Sequence, residues 1–217
     1  MAAKTRSRIR IRTVLSILLN LTIFVQALFS ILGYFKPGHE GSECFRFFTI
    51  DSNILLAVVS MILAVCELRY LLNGKSAPKW AMLLKYTGTV AVGLTFFTVI
   101  FFLIPTSEFG IVPLVTGQNL FLHILNPLTA MFSFVVLERS PDIRRKETSW
   151  CLLPTFVYEA VYLYKVMILK PGKGGWFDFY GFTMGGMWYL SAIAIPLATW
   201  IIGLGLWGLR KAGKKTQ

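Results

Sequence analysis

The sequence predicts an all-α polytopic membrane protein: one domain over residues 1–217, a bundle of six transmembrane helices with both termini cytoplasmic. Three observations carry this expectation. Hydrophobic residues make up 55% of the 217 positions and charged ones 15%, more apolar surface than a soluble domain can cover with polar groups. The apolar residues fall into six runs, each near the roughly 20 residues a helix needs to cross hydrocarbon. Basic residues are concentrated in alternate connectors.

The first run, Thr13 to Phe35, follows the basic stretch Arg6, Arg8, Arg10 and Arg12 and stops at Lys36-Pro37-Gly38. It is too long for a signal-peptide core, and no small-residue cleavage site follows promptly. The second, Phe48 to Leu72, ends at Asn73-Gly74-Lys75, and the third, Trp80 to Ile104, ends at Pro105. The fourth, Asn119 to Glu138, precedes Arg144-Arg145-Lys146. The fifth, Trp150 to Leu169, ends at Lys170-Pro171-Gly172, and the sixth, Met187 to Leu209, runs into Arg210-Lys211. No connector is long enough for a second domain.

With the N-terminus inside, seventeen of the 22 Lys and Arg residues, Lys85 among them, fall on the cytoplasmic side. That bias sets the orientation, and the expected location is the cell membrane. The net charge of +12 is thereby absorbed by topology, and nucleic acid is not an expected partner, since no basic stripe with interleaved aromatics lies outside the apolar runs. Most of the six tryptophans fall near run ends, where an amphipathic ring suits the headgroups. Cys44, Cys66 and Cys151 lack zinc or redox spacing, and Cys44 and Cys151 fall on opposite sides. With His39 and His123 the only histidines, no metal or organic cofactor is expected. A short echo links runs two and four, each with Asn near its start and Glu followed by Arg at its end.

Polar side chains at membrane depth need partners and are the informative residues. Run two opens with Phe48-Thr49-Ile50-Asp51-Ser52-Asn53 and run four with Gln118-Asn119-Leu120-Phe121-Leu122-His123. Both runs point inward, so the two clusters share the outer leaflet. Thr49, Ser52 and Asn53 lie three and four residues apart on one helix face, as do Asn119 and His123. A hydroxyl and an imidazole at one depth make a nucleophile and base for ester cleavage, and the N-terminus of the second helix offers positive charge to an oxyanion. The plainer use is that Thr49, Asp51, Ser52 and Asn53 cap a helix while Asn119 and His123 cross-link helices.

At these residues the sequence resembles the family of androgen-induced gene product and androgen-dependent TFPI-regulating protein, in its bacterial branch. Arg46-Phe47-Phe48-Thr49 is similar to the aromatic stretch leading to the family's Thr, and Asn119-Leu120-Phe121-Leu122-His123 to its N-x-x-x-H stretch. Pro127 and Glu138 follow in the family's order, and Gly175-Trp176-Phe177 is a weaker match. The resemblance implies six helices and hydrolysis of fatty acid esters of hydroxy fatty acids by Thr49 assisted by His123. Animal members carry Asp three residues after the Thr, whereas here Asp51 follows by two and Ser52 holds that place; the spacing from His to Pro also differs.

Further candidates to orient His123, stabilise an oxyanion or bind substrate are Asn119, Asn53, Ser52, Asp51, Glu159, Tyr162 and Lys165. The last three could contact a fatty-acid carboxylate, although pairing among themselves or snorkelling is the plainer use. The expected partners are membrane lipids or the lipid ester, and oligomerisation leaves no mark in the sequence. A binding or transport protein with Glu159, Asp51 and His123 along a polar path is the competing expectation, and a structural protein without chemistry the third. A hydrolase needs Thr49 and His123 together beside a lipid-sized cavity, a transporter needs a path to both sides, and the third needs neither.

Overall fold

The computed structural model describes residues 2–107, 110–138, 141–169 and 171–215, with side chains for all of these except 2–6, 8, 214 and 215. Arg139 and Lys170, counted above among the connector charges, lie outside the described residues. Six helices are long and apolar enough to cross a membrane: α1 (Ala2–Gly33), α2 (Phe48–Asn73), α3 (Lys79–Thr106), α4 (Gly117–Leu137), α5 (Arg145–Leu169) and α6 (Trp188–Lys215). This is an integral membrane protein, and no strand occurs among the described residues. α1 and α6 continue past their apolar runs into basic flanks, because Lys and Arg are good helix formers.

The connectors stop the helices where residue chemistry demands it. Gly74 closes α2 in the left-handed conformation (φ 70°), its N–H bonded to the Tyr70 carbonyl, and Pro78 stands at the cap of α3. Prolines also explain wide turns inside the helices. A proline lacks an N–H, and its ring crowds the carbonyl four residues back. Ahead of Pro105 and Pro127 the chain widens to five-residue spacing over Val99–Leu103 and Leu120–Leu125, where Ile104 N–H reaches the Val99 carbonyl and Asn126 N–H that of Phe121.

α1 to α4 form a ring, and the α5–α6 pair packs on the side of α3 and α4. α3 is the most enclosed helix. Its small residues allow close approach: a Cβ on Gly88 would stand 2.9 Å from Val59 Cγ2 and 3.3 Å from Leu56 Cα. Large apolar side chains such as Leu18, Val25 and Phe29 on α1, Phe156 and Val157 on α5, and Ile193 and Ile201 on α6 face outward, as a lipid solvent requires. Trp80, Trp150 and Trp188 are also exposed near helix ends.

The interior is layered. Tyr86, Met82, Leu63, Phe134, Cys151 and Leu206 fill the end nearer the termini. Ile23, Leu56, Val59, Val92 and Ala130 form a middle apolar layer. Cys44, Ile50 and Leu122 close the opposite end. All three cysteines are free. Gly88→Val should wedge α2 from α3 and destabilise the bundle by about 1–3 kcal/mol, read as a lower melting temperature of the detergent-solubilised protein, while Gly205→Ala, with open space around the new methyl, should leave it unchanged.

Candidate functional site

The start of α2 is held from outside its own sequence. Phe47 stands at the cap in an extended conformation, and no side chain caps the helix. The Tyr180 hydroxyl accepts the Phe48 N–H at 3.2 Å, and the Tyr158 hydroxyl donates to the Arg46 carbonyl at 2.6 Å. Phe48 meets the Tyr158 ring edge-on at 5.1 Å. Capping is therefore not the use of Thr49, Asp51, Ser52 and Asn53, and the polar run is free to act across helices.

Asn53 does so most directly. Its Nδ2 donates to the Thr49 carbonyl at 2.8 Å and to the Leu122 carbonyl of α4 at 3.1 Å, while its Oδ1 accepts from Asn126 Nδ2 at 3.0 Å. The Leu122 carbonyl is available for a physical reason. Asn126 N–H has gone to Phe121, and the next residue in the wide turn is Pro127, which has no N–H to give. The side chain of Asn53 supplies the missing donor and fixes the Thr49 turn of α2 against the Leu122–His123 turn of α4. Ser52 Oγ, 3.2 Å from the Thr49 carbonyl, also lies 3.2 Å from Thr95 Oγ1, adding α3 to the junction.

His123 is 7% exposed, and its Nδ1 lies 2.7 Å from the Leu114 carbonyl. A carbonyl can only accept, so Nδ1 carries the proton and Nε2 of the neutral ring keeps a lone pair. Leu114 belongs to the short Val112–Val115 turn between α3 and α4. That turn is anchored by Asn119, whose Nδ2 donates to the Pro113 carbonyl at 2.9 Å and whose Oδ1 accepts from the Tyr34 hydroxyl at 3.2 Å. Asn119 thus acts on the turn that holds the imidazole rather than on the imidazole. No hydrogen bond joins the Thr49 hydroxyl, which is half-buried, to His123.

No family model matches the chain, and no curated protein or solved structure matches it.

The remaining expected site residues are Asp51 in the first turn of α2 and Glu159, Tyr162 and Lys165 on α5. Glu159 is 5% exposed, and its Oε1 is buried without a partner; it pairs with neither Lys165 nor Tyr162. Lys165 donates instead to the Gly174 carbonyl at 3.0 Å, near the Trp176 ring. Asp51 is half-buried with no hydrogen bond to its carboxylate among the described residues. Tyr162 donates to Asp178 Oδ1 at 2.9 Å and accepts the Tyr180 N–H at 2.9 Å. Asp178 also takes the N–H groups of Phe182 and Thr183 and the Thr183 hydroxyl. Burial works against its charge, yet the Thr183, Tyr162 and Phe182 hydrogen bonds outweigh it and hold the carboxyl below its ordinary value. Burial also pushes the Tyr180 hydroxyl up to about 12, so it stays protonated over the start of α2. The aromatic loop with Trp176, Phe179, Tyr180 and Phe182 packs around Tyr162 and meets the start of α2 through Phe179 on Phe47 and Tyr180 on the Phe48 N–H. The apolar groove along Leu18, Leu21, Val25 and Gln26 belongs to α1 alone and includes neither Thr49 nor His123.

Asn53→Ala should lower stability by about 1–3 kcal/mol, since it strands the Leu122 carbonyl and the Asn126 amide; Asn53→Leu with Asn126→Leu should cost less than Asn53→Leu alone in the same detergent melt. The lowered Asp178 carboxyl contributes loop stability that is fully present above its unfolded value of 3.8 and is lost as pH falls through the lower folded value. Amide exchange at Phe182 and Thr183 should therefore stay slow from neutral pH down to that range, and Asp178→Asn should speed it at neutral pH.

Proposed function

We propose that this protein is an intramembrane lipid-ester hydrolase with Thr49 as nucleophile and His123 as base, the substrate class being fatty acid esters of hydroxy fatty acids. The Asn53 tie between the Thr49 turn and the Leu122–His123 turn carries the reading. The protonated Nδ1 of His123 on the Leu114 carbonyl supports it by leaving Nε2 as the accepting nitrogen. The family resemblance supplies the reaction and substrate class.

His123 Nε2 takes the Thr49 hydroxyl proton as Oγ1 attacks the ester carbonyl. The tetrahedral intermediate collapses, the imidazolium returns the proton to the leaving alcohol, and an acyl-threonine remains. Water then gives a proton to His123 and attacks the acyl carbon, releasing the fatty acid and restoring the hydroxyl. The Leu114 carbonyl holds the imidazole and stabilises its charged form. Asn53 and Asn119 spend their amide donors on carbonyls, which makes them positioning groups. Charge on the oxyanion falls to the α2 N-terminal dipole. In the orientation proposed from the basic residues, the termini are cytoplasmic and this site opens at the outer leaflet.

A binding or transport protein is the second reading, favoured by buried Lys85 and Glu138 with half-buried Glu67 nearer the termini. The apolar layer of Ile23, Leu56, Val59, Val92 and Ala130 stands between that group and the Asn53 junction, which favours the hydrolase over this reading.

The test is labelling of the solubilised protein by a fluorophosphonate. Wild type should label, Thr49→Ala should lose labelling entirely, and His123→Ala should label more slowly by a factor of about 10²–10⁴. Folded wild type that does not label, or labelling indifferent to Thr49, sinks the hydrolase reading and moves the transport reading ahead.

A further inference from the structure

Lys85 counts as a basic connector charge in the sequence, yet its side chain is fully buried. Its Nζ donates to Asn20 Oδ1 at 2.7 Å and Ser60 Oγ at 2.8 Å and lies 3.7 Å from Glu138 Oε1. Glu138, 1% exposed, also accepts at Oε1 from Asn20 Nδ2 at 3.0 Å and Ser133 Oγ at 2.7 Å. One turn back along α1 from Asn20, Ser16 donates to Glu67 Oε1 at 2.9 Å. Asn20 Nδ2 reaches the Ser16 carbonyl at 2.9 Å, so the Ser16–Asn20 turn links both carboxylates.

Each carboxylate keeps one oxygen with nothing to bind. Glu67 Oε2 and Glu138 Oε2 are both buried without a hydrogen-bond partner. The Thr89 hydroxyl, fully buried on the same α3 face as Lys85, also lacks one. Lys85 pairs with Glu138, while Glu67 is held by Ser16 alone, and a carboxylate with an unmatched buried oxygen is among the costliest groups a bundle interior can hold. Arginines flank the group. Arg12 of α1 donates to the Val136 carbonyl, and Arg210 of α6 donates to Met82 Sδ and the Pro141 carbonyl and lies over the Phe134 ring. Arg69 on α2 is exposed, and Lys79 is paired with Glu147 at 2.7 Å. None of these cations gives a donor to either unmatched oxygen.

We infer that Glu67 and Glu138 form a proton-binding site that holds one proton between them, beside Lys85, exchanging with the aqueous face that bears the termini. A proton on either carboxyl turns an unmatched acceptor into a donor and removes one of the two negative charges from the interior. Lys85 balances the carboxylate left ionised. A proton fits better than a metal cation, because the Lys85 ammonium occupies the position of charge and directs its hydrogens at Asn20 and Ser60. The middle apolar layer lies on the far side of the site, and half-buried Glu67 gives it access to the face that bears the termini. The inference is independent of the reaction at Thr49.

The test is infrared spectroscopy of the full chain in phospholipid vesicles, with carbon-13 glutamate and with Glu159, whose carboxyl is also buried with an unpartnered oxygen, changed to Gln. At neutral pH one protonated glutamate carboxyl band is expected. Glu67→Gln or Glu138→Gln should each abolish it, since one carboxylate matches one ammonium, and Lys85→Met should double it. A variant that fails to fold leaves the background protein decisive: no protonated band there overturns the site. A band indifferent to both Gln changes overturns it as well. A band absent in sodium and present when choline replaces sodium assigns the site to a metal cation and overturns the proton.

Discussion

Inside hydrocarbon a polar group has no water to fall back on, and every other feature of this bundle follows from that constraint. The answer here is stratification. Polar side chains gather in two layers, one around Asn53, Asn126, Ser52 and Thr95 and one around Lys85, Glu138, Asn20 and Ser16. Ile23, Leu56, Val59, Val92 and Ala130 lie between them. Each polar layer joins several helices, so helix register is set by hydrogen bonds at two depths and by apolar packing in the middle.

Pro127 is what makes the first of these layers possible. By withholding an N–H and crowding the His123 carbonyl, it forces the wide turn over Leu120–Leu125, and that turn leaves the Leu122 carbonyl open to another helix. Asn53 takes the opening. The same wide turn carries His123, whose ring is held by the Leu114 carbonyl from the preceding short turn. A local backbone defect is thus converted into an interhelical bond and a fixed imidazole, two things a regular helix at this position would not provide.

The apolar runs made the six helices legible within a few residues at most of their ends, and the i, i+4 spacing of Thr49 with Asn53 made the polar face of α2 legible too. What the sequence could not show was partnership. Asn126 sits three residues beyond His123 and directly before Pro127, a signal that was present, yet its tie to Asn53 depends on a turn that periodicity does not describe. Asn119 read as a candidate to orient His123, stabilise an oxyanion or bind substrate, and its partners are Pro113 and Tyr34, in the turn whose Leu114 carbonyl holds the imidazole. Lys85 followed the rule that basic residues mark a connector, but it lies two turns inside α3 and on the face toward Asn20 and Glu138, where burial overrides the statistic. Tyr162 and Lys165 were drawn away from α2 by the loop carrying Asp178 and Trp176, whose return path over the bundle leaves no periodic trace.

The central claim is that the hydroxyl of Thr49 and the Nε2 of His123 act on one ester. It is tested most directly by an experimental structure of the protein after reaction with a fluorophosphonate, with the adducted peptide identified by mass spectrometry. The account predicts phosphorus on Thr49 Oγ1, with His123 Nε2 within hydrogen-bonding reach of the adduct and the Asn53 bonds to Thr49 and Leu122 intact. An adduct on another side chain, or on Thr49 with His123 turned away from it, would contradict the account.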